Sequence, residues 1–312
     1  MSKILAIFGA TGHQGSSIIN FVLNDAELSQ EYKIRAITRD VNTDKAKQLA
    51  GKVELVQGDF HSPSSIETAL TGAHTVFAMT FPSFEADKDF DIQYNSAKAI
   101  ADVAVSKGAS YIIFSTLPAV SRISGGKYTK VTPFDAKAKA EQYIRGLPIK
   151  SAFVSLGSFM ENFQEQFFVA PQPAADGIWI LTRNHSLKTQ LPLIDAVGDT
   201  GKFVGAILAE PEKYSGKTFC AAVKLYTFEE IVDLLSKSSG KTIKFKQIPD
   251  EEFKASLPLM GDVFVEGYRY GEEFGYFGPG TEELVAWAAE HARGKLTTFE
   301  EYLEEHPFQL SA

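Results

Sequence analysis

Residues 4–15 restrict the fold of this chain more than any other stretch. An unbroken apolar run at residues 4–8 is typical of a strand that is buried on both faces of a parallel sheet. Gly9, Gly12 and Gly15 follow, and residues 16–23 then carry apolar side chains at helical spacing. A strand, a glycine turn and a helix N-terminus predict an anion site, because unpaired amides and the positive end of the helix dipole face one point. The spacing is G-x-x-G-x-x-G rather than the standard G-x-G-x-x-G, so a turn that only packs helix on strand is the alternative.

The composition excludes several classes of protein. The 312 residues are 44% hydrophobic and 22% charged, as in an ordinary globular protein of one large or two small domains. A formal net charge of −8 argues against a broad nucleic-acid-binding surface but allows a protein partner. Cys220 is the sole cysteine, which excludes an intramolecular disulfide and a cysteine-rich metal site. We expect neither a signal peptide nor a membrane span, and therefore a soluble, cytoplasmic protein.

Strands and helices alternate from residue 4 to residue 155. This order predicts an α/β fold of the Rossmann type, a doubly wound parallel sheet with helices on both faces. The capping-box pattern Ser64-x-x-Glu67 predicts a short helix at residues 65–70, and residues 116–132 are expected to form a loop over the site. The predicted strands are residues 4–8, 33–38, 53–57, 75–79, 111–115 and 149–155.

The regular alternation ends at Leu156. We predict a Rossmann domain at residues 1–155 and a smaller, interleaved α+β lobe at residues 156–312, with no clean linker between them. Capping boxes at Thr227-x-x-Glu230 and Thr298-x-x-Glu301 predict two helices of this lobe. Residues 243–248 alternate like a half-exposed edge strand.

The residues that follow the predicted strands indicate a dinucleotide. In such folds an acidic residue after the second strand binds the ribose 2′-hydroxyl, whereas an arginine accommodates a 2′-phosphate. Arg39 stands at that position and favours NADP(H) over NAD(H), the alternative being a solvated arginine in a turn. Asp59 is placed to meet an adenine amino group or is an ordinary turn aspartate. The residues at the ends of the third and fourth strands, which line the cofactor crevice in doubly wound sheets, are Asp59, Phe60, Thr80, Phe81 and Pro82.

Several segments together resemble the NmrA-like family of atypical short-chain dehydrogenase/reductase proteins. They are residues 9–15, 38–39, 57–59, 134–137, 159–162, 211–217 and 298–303. The resemblance implies an NADP(H)-binding Rossmann fold, with Lys137 near the nicotinamide ribose. It further implies cofactor contacts from Gly9, Ala10, Thr11, Gly12, His13, Gln14, Gly15, Phe159, Glu161 and Asn162. Family members include regulators of fungal transcription factors, a human NADPH sensor and reductases of small molecules.

The residues around Lys137 argue against classical dehydrogenase activity. Classical members of the superfamily use Tyr-x-x-x-Lys, in which the lysine lowers the pKa of a phenol that protonates the carbonyl. Pro133 stands four residues before Lys137, and Asp135 four before Lys139. Hydride transfer to a quinone, or reduction with Lys137 as the acid, is still allowed. Without the resemblance, Lys137 would be interpreted as an exposed helix lysine paired with Glu141.

The sequence is therefore compatible with two functions. The first is an NADP(H) sensor that acts as a regulator through a protein such as a transcription factor, in the cytoplasm and also the nucleus, as a monomer or homodimer. The second is an NADPH-dependent reductase of a small apolar acceptor such as a quinone. Aromatic side chains that would form the acceptor pocket, unless they pack in the core, are Phe81, Phe84, Phe159, Phe163 and Phe167.

Overall fold

The computed structural model describes residues 2–60, 62–82, 88–165, 169–174 and 177–310. The strands are β1 Lys3–Phe8, β2 Tyr32–Thr38, β3 Glu54–Gln57, β4 Thr75–Ala78, β5 Tyr111–Thr116, β6 Lys150–Leu156, β7 Ser158–Phe159, β8 Gln172–Pro173, β9 Trp179–Arg183, β10 Gln190–Ile194, β11 Thr218–Ala221, β12 Lys224–Thr227 and β13 Ile243–Gln247. The helices are α1 His13–Asn24, α2 Leu28–Glu31, α3 Asp44–Lys47, α4 Pro63–Leu70, α5 Asp89–Ser106, α6 Val120–Ile123, α7 Thr132–Arg145, α8 Asn162–Glu165, α9 Ala196–Ala209, α10 Pro211–Tyr214, α11 Phe228–Ser239, α12 Asp250–Ser256, α13 Gly261–Phe274, α14 Thr281–Glu290 and α15 Phe299–Glu305.

The main sheet has seven strands in the order β11-β6-β5-β4-β1-β2-β3. All of its pairings are parallel. Strands β1, β2 and β3 follow one another towards one edge of the sheet, and β4 then pairs with the other side of β1. The strand order therefore reverses between β1 and β4, which is where doubly wound sheets bind ligands. The predicted Rossmann-type fold is confirmed.

Helices cover both faces of this sheet because its strands are apolar on both sides. Helices α1 and α9 pack on one face with β1 and β6, and α4, α5 and α7 pack on the other. Glycines bring α1 and α9 close together: the amide of Gly201 donates to Ser17 Oγ at 2.9 Å. A Cβ at Gly205 would lie 2.2 Å from the Phe21 ring. The contact between α1 and α9 therefore requires glycine on the α9 side.

The second half of the chain also contributes to the main sheet. Strand β11 pairs with β6, so residues 218–221 complete the sheet, whereas the sequence placed them in the smaller lobe. Two small sheets follow, in the orders β12-β10-β7 and β13-β9-β8, which makes β13 the predicted edge strand. The division at residue 156 stays a prediction. Among the helices of the described ranges, none combines the length and the hydropathy that a bilayer crossing requires.

Two of the three predicted capping boxes are confirmed. Thr227 and Glu230 cap α11, and Thr298 and Glu301 cap α15, in the reciprocal arrangement expected. The prediction at Ser64 is wrong, because α4 begins at Pro63, two residues before the predicted start, and no side chain among the described residues caps it. Proline is favoured in the first turn, since its fixed φ suits the helix and it has no amide to leave unpaired.

A buried polar segment lies at the end of β9 in the smaller lobe. Arg183, Asn184 and His185 are at most 2% exposed. The His185 ring lies 4.3 Å from the Phe228 ring and 5.0 Å from the Tyr268 ring, measured between centroids. Its Nδ1 lies 2.9 Å from the Ser186 carbonyl oxygen, and Nε2 has no partner among the described residues. Burial lowers the pKa of His185 to about 4, because an imidazolium would have to lose its water there.

Candidate functional site

The carboxyl edge of the main sheet collects the residues that the sequence singled out. Gly9 follows β1, Arg39 follows β2, Asp59 lies just beyond β3, and Thr80 lies just beyond β4. Because β1 to β4 are parallel neighbours, these strand ends lie on the same edge. The structure thus brings the predicted elements to the point of strand reversal.

The glycine turn leaves the N-terminus of α1 open. Gly9 adopts a φ of +68°, a conformation that favours glycine, and its carbonyl oxygen accepts from the Gly12 amide at 2.9 Å. A Cβ at Gly15 would lie 2.3 Å from that oxygen, whereas one at Gly12 would lie 3.4 Å away. Gly15 is therefore needed for packing, and Gly12 is not. Among the described residues, no side chain caps α1, and the first turn of this helix holds no acidic residue. Its first amides remain available for an anion.

Helix α9 shows the opposite arrangement. Glu161 accepts from the amides of Ala196 and Val197, at 3.2 and 2.9 Å. Asp195 accepts from the Gly198 amide at 2.6 Å. Two carboxylates therefore occupy this helix N-terminus, and burial raises the pKa of Glu161. The carboxylate of Glu161 is thus engaged with α9. A contact between Glu161 and a nicotinamide stays a prediction.

Other residues of the glycine turn face the second half of the chain. His13 Nε2 lies 3.2 Å from a carboxylate oxygen of Glu165, and its ring meets Phe159 edge-on at 6.1 Å. Ala10 is buried and its amide donates to the Ile37 carbonyl oxygen. Thr11 is half-buried, and Gln14 Oε1 is buried without a partner among the described residues. Asn162 opens the short helix α8 beside this group.

The aromatic residues predicted for an acceptor pocket separate into two groups. Phe81 is 43% exposed and lies over the glycine turn, with its Cζ 3.6 Å from where a Gly9 Cβ would be. Phe163 instead packs in the core of the smaller lobe, 5.5 Å from the Phe299 ring. Phe84 and Phe167 lie outside the described residues. The structure therefore places Phe81 and Phe159 at the glycine turn and removes Phe163 from it.

The predicted adenosine side of the site is exposed. Arg39 is exposed, and its backbone carbonyl accepts from Gln57 Nε2 at 3.1 Å. Its guanidinium forms no ion pair within the described part of the chain, so it is available to a ligand. The Asp59 amide donates to Ser65 Oγ at 2.9 Å. Phe60 packs against the core on the α4 and α5 face, and Pro82 is half-buried.

Lys137 is buried at the end of β4. Its Nζ donates to the Thr80 carbonyl oxygen at 2.8 Å and to Thr80 Oγ1 at 3.1 Å. The interpretation of an exposed lysine paired with Glu141 is wrong, because Glu141 bonds to Arg145 at 2.7 Å. Burial lowers the pKa of Lys137 to about 8. An ammonium that loses its proton near neutral pH is suited to proton transfer.

No phenol stands beside Lys137 in the described ranges. Pro133 lies buried in the first turn of α7, and the nearest tyrosines along the chain point elsewhere. The Tyr128 hydroxyl donates to Glu273, and the Tyr143 hydroxyl donates to Asp102. The tyrosine of the classical dehydrogenases thus has no spatial substitute from either neighbour.

The loop predicted at residues 116–132 is more ordered than expected. It contains helix α6, and its side chains pack with Tyr270 and other residues of α13. The Lys130 amide donates to Glu266 at 2.7 Å, and the Ser121 amide donates to Asp135 at 3.1 Å. The prediction of an irregular loop was therefore wrong over Val120–Ile123, and the segment is attached to α13.

Asp89 and Gln93 belong to the site and were missed by the sequence reasoning. Both lie on the buried face of α5, and Gln93 connects Asp89 to Thr80. The available signal was the four-residue spacing of Asp89 and Gln93, which places both on the same helix face as the small and apolar residues that follow. Buried polar residues of this kind are hydrogen-bonded in most structures.

Comparison with known proteins adds family-level information. A family model described as the NmrA-like family matches residues 1–303. An NmrA-like family domain-containing protein of Dictyostelium discoideum is 29% identical, covering 99% of this chain and 100% of its own. An NmrA-like family domain-containing oxidoreductase of Aspergillus campestris is 29% identical, covering 83% of this chain and 80% of its own. The solved structure of NmrA, described as a negative transcriptional regulator in complex with NADP, has a TM-score of 0.77 at 22% identity and covers 98% of this chain and 95% of its own. At that identity it shows a shared fold.

Proposed function

The chain belongs to the NmrA-like family, and we propose that it binds NADP(H) at the carboxyl edge of its main sheet. The open N-terminus of α1 supports this proposal, because a diphosphate would receive its free amides and the positive end of the helix dipole. Exposed Arg39 would hold the 2′-phosphate through charge-assisted hydrogen bonds. NmrA, which shares this fold, has been solved in complex with NADP.

The remaining predicted contacts are distributed along the dinucleotide, from the adenine to the nicotinamide. Asp59 would meet the adenine, Lys137 would donate to the nicotinamide ribose, and Phe159 with Asn162 would border the nicotinamide. Thr80 holds Lys137 in place for this role. These assignments, with Phe60, Pro82 and Glu161 at the margins, are proposals for testing by substitution.

We further propose that the protein responds to NADP(H) as a sensor with a regulatory role, without classical dehydrogenase activity. The observation that carries this proposal is the surroundings of Lys137, where Thr80 rather than a phenol meets the ammonium. A ketone that accepts hydride must also gain a proton, and the phenol that usually donates it is absent from the described surroundings of Lys137. A regulator needs a partner, for which we propose a protein such as a transcription factor.

A second candidate is an NADPH-dependent reductase of a small apolar acceptor such as a quinone. The pKa of Lys137, about 8, favours it, because the ammonium can then give up the proton that an acceptor takes with hydride. Phe81 and Phe159 offer apolar surface beside the glycine turn. The Aspergillus campestris relative is named an oxidoreductase.

Two measurements test these proposals. Calorimetric titration of the purified protein with NADPH tests binding, and failure to bind would refute both candidates. Incubation with NADPH and a panel of quinones and aldehydes, followed by the absorbance of the reduced nicotinamide, tests turnover. We expect tight binding and no oxidation. Oxidation beyond one equivalent, lost in a Lys137→Ala variant, would reject the sensor in favour of the reductase.

A further inference from the structure

Four buried polar side chains form a continuous hydrogen-bonded chain from α5 to α7 through the end of β4. Gln93 Nε2 donates to Asp89 Oδ2 at 2.7 Å. Thr80 Oγ1 donates to Gln93 Oε1 at 3.2 Å, and Lys137 Nζ donates to Thr80 Oγ1 at 3.1 Å. The four residues are between 1% and 7% exposed, so water cannot readily replace any of these bonds.

The direction of every bond in this chain is fixed by chemistry. An ammonium only donates and a carboxylate only accepts, so the two ends determine the middle. The Gln93 amide must turn its NH₂ group to Asp89, which leaves its oxygen for the Thr80 hydroxyl. The hydroxyl then has its lone pairs free for Lys137. Removal of Asp89 would therefore disturb Gln93, Thr80 and Lys137 in turn.

The surroundings of this hydrogen-bonded chain also affect the charge of Lys137. Burial disfavours the ammonium, and the negative charge of Asp89 favours it. Thr80 faces Nζ from the end of β4, while the Thr116 hydroxyl on β5 donates to the Lys137 backbone oxygen at 3.4 Å. Among the charged groups of the described ranges, Asp89 on α5 is the one that acts on Lys137.

We infer that Asp89 and Gln93 are positioning residues for the dinucleotide, which keep Lys137 charged and directed at the ribose. This inference rests on the proposed NADP(H) binding. Two of the three ammonium hydrogens are taken by Thr80, which leaves one for a ribose hydroxyl. Asp89 is the first residue of α5, so the start of this helix and the ribose contact are linked through one buried path.

The pH dependence of NADPH affinity tests the inference. In the unmodified protein, affinity should fall as the pH rises through about 8, because a neutral amine is a weaker partner. In Asp89→Asn the midpoint should move down by about one pH unit, which lowers the affinity about twofold at pH 7 and by up to about tenfold above pH 8. Asp91→Asn, at an exposed position on the same helix, is the matched control and should leave the profile unchanged.

Three further variants keep the test decisive if Asp89→Asn fails to fold. Thr80→Val breaks the hydrogen-bonded chain between Gln93 and Lys137 and should shift the profile like Asp89→Asn, whereas Thr80→Ser keeps the hydroxyl and should retain the profile of the unmodified protein. Lys137→Arg stays charged at every pH used and should bind with a flat profile. If the unmodified protein binds NADPH but folded Asp89→Asn or Thr80→Val titrates identically, the inference is refuted while the proposed function stands. Absence of NADPH binding in the unmodified protein refutes the proposed function itself.

Discussion

The burial of His185 predicts a loss of stability in mild acid. In the unfolded chain this imidazole takes up a proton below its ordinary pKa of 6.5, whereas in the folded protein it stays neutral down to about 4. The unfolded state therefore binds more protons between these values, and the free energy of unfolding must fall as the pH falls. Stability from the neutral ring is fully present above 6.5 and is lost progressively below it.

The expected magnitude follows from the size of that pKa shift. Between pH 6.5 and about 4, each pH unit lowers the free energy of unfolding by about 1.4 kcal/mol. Lowering the pH from neutral to 5 should therefore reduce the free energy of unfolding by about 2 kcal/mol through His185. Urea unfolding of the unmodified protein and of His185→Gln, at both pH values, measures this quantity as the difference between their pH dependences. The comparison cancels the other titrating groups.

The matched control is His306→Gln, which removes an exposed imidazole. If His185→Gln and His306→Gln change the pH dependence equally, burial of the ring is not the cause. If His185→Gln retains the full acid sensitivity of the unmodified protein, the reasoning from the aromatic contacts of His185 is refuted.

Other predictions concern the cofactor site and the segment above it. Arg39→Ala should erase most of a preference for NADPH over NADH in calorimetric titrations while leaving NADH affinity unchanged; equal affinities in the unmodified protein would contradict the role of Arg39. Gly12→Val should abolish NADPH binding with the fold retained by circular dichroism, whereas Gly15→Val should also lower the unfolding temperature, because its Cβ would overlap Gly9; unimpaired binding by folded Gly12→Val would mean that the diphosphate lies elsewhere. Bound NADPH should protect residues 116–132 from proteolysis, and Tyr128→Phe, which removes the bond to Glu273, should increase cleavage in the free protein; equal digestion patterns would argue against a response in this segment.

The sheet was predictable because its signals are local. Buried strands such as β4 and β5 show as short apolar runs, and the glycine turn shows through its spacing. The capping boxes at Thr227 and Thr298 were also local. At Ser64 two local signals competed, and the proline at position 63 determined where α4 begins.

Other features depend on residues far apart in the sequence. Strand β11 joins the main sheet by pairing with β6, and no short window contains that information. Lys137 has the sequence context of an exposed helix residue, and its burial follows from how α7 packs against β5 and α5. The bond between Lys137 and Thr80 joins residues 57 positions apart. Asp89 and Gln93 were missed for the same reason.

The late arrival of β11 has a consequence for synthesis on the ribosome. When β6 leaves the exit tunnel, its outer edge lacks the strand that will cover it, and α1 lacks its partner α9. At the usual rate of elongation, roughly 3–13 s separate the emergence of residue 156 from that of residue 221. During that interval the nascent chain presents an open strand edge and an uncovered apolar helix face, both of which promote aggregation. A ribosome that pauses in this stretch would prolong the exposure, and a chain terminated there would keep it permanently.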